Sequence, residues 1–128
     1  MKLSPAEKQA IFDQALKNNT AISLDWKFPV EDIVFNVSSL LPDLDIQSLP
    51  EKQILSDWVQ TMVLEGNEYS FKADSPTLIL DVIATINKHL GKEDRTFIFN
   101  DTQDDDFGFI LISCDELPDY LEKGFLEI

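Results

Sequence analysis

Four aspartates, Asp101, Asp104, Asp105 and Asp106, crowd into one short stretch of a 128-residue chain. Clustered carboxylates can hold hard cations such as Ca²⁺ or Mg²⁺, or meet the basic groups of a macromolecular partner. A calcium loop needs oxygen ligands at alternate positions and glycine at its sharp turn. Counting from Asp104 puts Asp106 in the third place but Gly108 in the fifth and Phe109 where glycine is required, and counting from Asp101 puts Asp106 in the glycine place. The stretch is therefore not an EF-hand loop, and no metal ligands are assigned to it. What remains is a solvated acidic turn or a surface for a basic partner. Asp115, Glu116 and Asp119 form a second acidic group further along.

No complete catalytic or cofactor motif is present. Paired carboxylates do acid/base work when burial raises the pKa of one of them. Asp25, beside Trp26 in a strand, and Asp81, within an apolar helix, are better placed for that than a loop of aspartates, yet both fit the outward side of an amphipathic element. His89 is the single histidine, so a histidine pair for zinc is excluded, and its place in a last helical turn suits a favourable group against the negative helix end. Cys114, the single cysteine, stands between a buried strand and an acidic segment, which raises a thiol pKa and disfavours the reactive thiolate. The four glycines, Gly66, Gly91, Gly108 and Gly124, are too far apart to cradle phosphate. The reading is of a protein that is not an enzyme and carries no cofactor.

The elements that must position these residues follow from periodicity. Thr96 to Phe99 and Phe107 to Ile112 are short and apolar, so they form a hairpin with the acidic loop at its tip; the second run is apolar on both faces and suits the middle of a covered sheet. Ser4-Pro5-Ala6-Glu7 is a capping box that starts a helix ended by Asn18-Asn19. Ala21 to Trp26 is a strand, and Pro29 opens a helix with Val30, Ile33, Val34, Val37, Leu40 and Leu41 on one face until Pro42. Ser48-Leu49-Pro50-Glu51 is read as a second capping box. Ile54, Leu55, Trp58, Val59, Met62 and Val63 then keep helical spacing up to Gly66, although Trp58 to Leu64 alone also fits a strand; helix is the expectation. Glu68 to Ala73 is a strand with Tyr69 and Phe71 inward. Ser75-Pro76 starts a helix closed by Gly91, and Asp115 or a neighbour caps a short one ended by Gly124. The expected fold is α+β: a single acidic domain, 1–128, with a mixed four-stranded sheet containing the C-terminal hairpin and about five helices packed on it. Trp26 and Trp58 are assigned to core packing. The apolar tail Phe125, Leu126 and Ile128 should dock, on this sheet or on a second copy.

The chain carries 24 acidic and 10 basic residues, a formal net charge of −14. Glu93 to Ile128 holds eleven of the acids against Arg95 and Lys123, so the acidity centres on the hairpin. Such a field repels nucleic acid and anionic lipid and attracts cationic partners, and it also keeps a protein soluble. One cysteine allows no internal disulfide, the start MKLSPAEKQ has no signal-peptide core, and no apolar run reaches membrane-spanning length. A cytoplasmic protein that binds neither nucleic acid nor membrane is expected.

In size, acidity and acidic hairpin loop the chain resembles the small immunity proteins that bacteria encode beside polymorphic or contact-dependent toxins, and uncharacterised bacterial domains of similar size. The resemblance implies a non-enzymatic inhibitor that neutralises a cationic toxin domain through an acidic surface. Asp101, Asp104, Asp105 and Asp106 are the expected contacts, with Asp115, Glu116 and Asp119 as the second group. Changing the four loop aspartates to asparagine is expected to leave the fold intact. The alternatives are a small-ligand or divalent-metal-binding protein, and an accessory domain that dimerises through Phe125, Leu126 and Ile128.

Overall fold

The structure is a computed structural model that describes residues 2–101 and 106–128. In chain order its elements are α1 (Pro5–Lys17), β1 (Ala21–Asp25), α2 (Val30–Leu40), β2 (Ile46–Ile54), β3 (Asp57–Leu64), β4 (Asn67–Lys72), α3 (Leu78–Leu90), β5 (Arg95–Asn100), β6 (Asp106–Ser113) and α4 (Leu117–Glu122), with 3-10 turns at Gly91–Glu93 and Cys114–Glu116. The chain divides into two compact units, Met1–Trp26 with Ile83–Ile128, and Lys27–Val82.

In the first unit the Glu7 N–H donates to Ser4 Oγ at 3.2 Å and the Ser4 N–H to Glu7 Oε1 at 3.0 Å, the capping box that the sequence predicts. The Ser4 backbone bond is also the main reason that the Glu7 carboxyl lies below its ordinary value. The sheet has the order β1-β6-β5, antiparallel throughout, so the strand that is apolar on both faces is indeed central. Against one face, Phe12 and Ala15 of α1 pack with Ala21, Ile98, Ile110, Ile112 and Phe125. Phe99, Phe107 and Phe109 form a ring cluster with centroids 5.5 to 5.7 Å apart.

The outer edge of β5 is closed by side chain and tail. The Phe97 N–H donates to Asn87 Oδ1 at 2.7 Å while Asn87 Nδ2 donates to the Phe97 carbonyl at 3.0 Å. One register step on, Phe99 and Leu126 exchange backbone bonds of 2.8 and 2.9 Å. An unpaired strand edge is a template for association, and these contacts remove it. The tail reaches that edge through the end of α4, where the Gly124 N–H bonds the Leu121 carbonyl and the Phe125 N–H the Tyr120 carbonyl, both at 3.1 Å. This is a Schellman closure with Gly124 at φ 104°. It turns Phe125, 1% exposed, into the core edge-on to Tyr120, with centroids 5.5 Å apart. The tail docks on its own sheet.

In the second unit α2 packs on a sheet of order β2-β3-β4, again antiparallel. Pro29 caps α2, and the Val30 N–H donates to Gln60 Oε1 at 2.8 Å. Ile33, Val34, Val37, Leu40, Ile46, Met62 and Leu64 are buried. The β3–β4 turn closes on the pair Leu64 and Asn67, with Glu65 at φ 49° and Gly66 at φ 84°. Two successive positive φ angles are what a two-residue hairpin loop with the right twist requires.

The expected helix up to Gly66 is instead the hairpin β2–β3. Its apolar spacing matches a helix, but Val59, Thr61 and Val63 are β-branched and Met62 and Leu64 alternate inward, and strand partners on both sides of β3 decide the outcome. The apparent second capping box lies in the edge strand β2, where the register shifts between Leu49 and Lys52. Pro50 sits in that bulge, a place where a missing N–H costs no ladder bond. The α+β class holds, but the mixed four-stranded sheet is replaced by two three-stranded antiparallel sheets, and the described residues form four α-helices rather than five. Both tryptophans are surface residues, Trp26 58% and Trp58 52% exposed. Tyr69 is exposed too, and Phe71 is half-buried.

Candidate functional site

The acidic hairpin marks one end of the first unit's sheet. β5 stops at Asn100 and β6 starts at Asp106; Asp104 and Asp105, between them, lie outside the described residues. The β1–β6 register sets Asp25 directly opposite Asp106 and Leu24 opposite Phe107. Side chains directly opposite in an antiparallel pair point to one face, so two carboxylates that are remote in sequence stand together. Trp26 follows Asp25 in the chain, just past the end of β1, and is exposed.

Asp101 has a different task. Its Oδ1 accepts from Lys8 Nζ at 2.9 Å, and Lys8 is buried, with its Nζ also donating to the Gly124 carbonyl at 3.2 Å. The same ammonium lies 6.0 Å from the centre of the Phe125 ring. Asp101 therefore supplies the counter-charge of a buried lysine that ties α1 to the end of α4. Next to it, Asn100 is fully buried, its Nδ2 donating to Gln9 Oε1 at 3.5 Å.

Asp115 and Glu116 lie beyond the far end of β6, where a rise of about 3.4 Å per residue puts Ser113 roughly 24 Å from Asp106. Asp119 lies in α4, which leads back to Gly124, whose carbonyl shares Lys8 Nζ with Asp101. Asp115 is exposed, whereas Glu116 Oε1 accepts from both the N–H and Oγ of Ser113, at 3.2 and 3.3 Å, and caps the 3-10 turn. Asp119 pairs with Lys123 at 3.0 Å, the bond that chiefly raises the lysine's pKa. Burial, followed by Glu116, raises the Tyr120 hydroxyl. Desolvation first and Asp94 second push the Cys114 thiol up, so it stays protonated at neutral pH.

Asp81 accepts from Thr77 Oγ1 at 2.8 Å on an exposed face, and His89 lies in the last turn of α3, both as the sequence suggests. Among the described residues no group of three or more His, Cys, Asp or Glu side chains is arranged to hold a metal ion, and no helix is long and apolar enough to cross a membrane. Asp25 was not legible as a member of the acidic end: the period-2 pattern predicts its strand, but only the register brings it to Asp106.

What this arrangement does is set two carboxylates from distant parts of the chain on one face at the end of the sheet. No curated protein and no solved structure matches the chain. The chain belongs to the family of the domain of unknown function DUF6630, whose model matches residues 4–123.

Proposed function

We propose that the chain is a non-enzymatic protein-binding module that receives a basic partner at the acidic end of its first sheet, in the way that small immunity proteins neutralise cationic toxin domains. The observation that carries this reading is the Asp25–Asp106 register. The register turns both carboxylates to one face, so a basic group docked there meets two acidic side chains. The net charge of −14 speeds the encounter, and Trp26 supplies the kind of aromatic anchor that slows dissociation.

Capture on the immobilised protein from a lysate of the source cell tests the proposal. One basic protein is expected in stoichiometric amount at low salt, released at high salt. A variant with Asp104, Asp105 and Asp106 changed to asparagine is expected to retain much less of it at an unchanged circular dichroism spectrum. Asp101 is left in place because Lys8 depends on it; neutralising all four residues would weaken the fold as well as the surface. Equal retention by the variant, or no retained protein, would contradict the reading.

A further inference from the structure

The β2–β3 hairpin of the second unit has an exposed tip. Every residue from Glu51 to Trp58 is exposed, on both faces of the ribbon. Leu55 is 95% exposed and holds φ 58°, a left-handed conformation that leucine does not choose for itself, and Ile54 and Trp58 flank it in the open. A two-stranded ribbon gains little stability in water from apolar side chains exposed on its surface. Beside the tip is a cleft of about 300 Å³ lined by Glu51, Ser56, Asp57, Trp58, Ala73 and Asp74. That is the small end of the range ligand sites occupy and suits one long side chain better than a cofactor. Three of its six lining residues carry carboxylates, and a fourth presents an indole. Asp57 has Lys72 at 3.8 Å, a long and solvent-exposed pair, and Glu51 accepts from Gln60 Nε2 at 2.7 Å.

An indole wall with carboxylates around it selects a cation that also has apolar bulk, because the ring attracts charge through its face while the carboxylates pair with it. We infer that this cleft is a docking site for an arginine or lysine side chain presented by an apolar segment of a protein partner, with Trp58 as the wall, Asp57 and Asp74 as counter-charges, and Ile54 and Leu55 as the apolar shoulder. The site is on the second unit and does not depend on the function proposed for the first.

Both indole N–H signals can be read by ¹H–¹⁵N NMR and assigned with Trp26→Phe. Trp58 then reports the cleft, and Trp26, next to Asp25, reports the acidic sheet end, so failure at one site is distinguishable from failure at the other. The probe is a short capped peptide of alternating leucine and arginine, with a citrulline version of the same length as its neutral control. At low salt the arginine peptide is expected to move the Trp58 signal saturably. The citrulline peptide, and the Asp57→Asn/Asp74→Asn variant, are expected to bind about tenfold more weakly, in line with the loss of two exposed ion pairs. A stationary Trp58 signal, equal responses to the two peptides, or an equal response to tetramethylammonium chloride alone would overturn the inference, the last by pointing to a small organic cation instead of a protein segment.

Discussion

Asn87 does for β5 what a neighbouring strand would do, and nothing in its sequence position on α3 announces it. Asn87→Ala would leave the Phe97 N–H and carbonyl without their partner, and an orphaned buried backbone group costs about 1–3 kcal/mol. Urea unfolding should show a loss of that order, whereas a midpoint unchanged from wild type would show that water replaces the amide. Cys114 offers a second test at this scale. Its thiol pKa is raised by desolvation and by Asp94, so the protonated form is the one that folding favours. Its stabilising share is complete below the ordinary thiol value and fades as pH rises through the folded value. Alkylation of Cys114 by iodoacetamide should therefore lag behind that of a free thiol up to mildly alkaline pH, and Asp94→Asn should narrow the gap. The rise in this pKa was legible from the neighbours of Cys114 in the sequence. The pairing of Asp101 with Lys8 was not, because the two residues are 93 positions apart and their meeting is a product of packing.

Elements with both a cap and a single period were legible. Ser4 and Glu7 mark the start of α1, and the two-faced apolar run from Phe107 marks a central strand, as β6 is. The β2–β3 hairpin was not legible because Ile54, Trp58 and Met62 satisfy a helix and a strand at once, and the bulge at Pro50 mimics a cap. Cross-strand pairing on both sides of β3 decides between them, and no local signal carries that information. At the other end of the chain, Gly124 closes α4 at φ 104°, where a Cβ has room but the backbone does not suit an L side chain. Gly124→Ala should cost about 1 kcal/mol or more and loosen the seat of Phe125. Chemical unfolding would measure the cost, and faster exchange of the Leu126 amide would show the β5 edge opening.

Over the whole molecule the charge is the dominant property, and its placement carries more meaning than its sum. The stretch from Glu93 to Ile128 holds most of the excess, yet the fold spends part of it internally: Asp101 on Lys8, Glu93 on Arg95 at 2.8 Å, Asp119 on Lys123 and Glu116 on Ser113. The charge pair that the register sets side by side is Asp25 with Asp106. Asp25 is therefore the residue on which the account of the first unit rests, because it joins the acidic hairpin only in three dimensions. The most direct measurement is the affinity of the captured basic partner for wild type, Asp25→Asn and Asp106→Asn across a salt series. Each substitution is expected to weaken binding by a similar factor at low salt, and the three affinities to converge at high salt. Weakening by Asp106→Asn with Asp25→Asn indistinguishable from wild type would contradict the account.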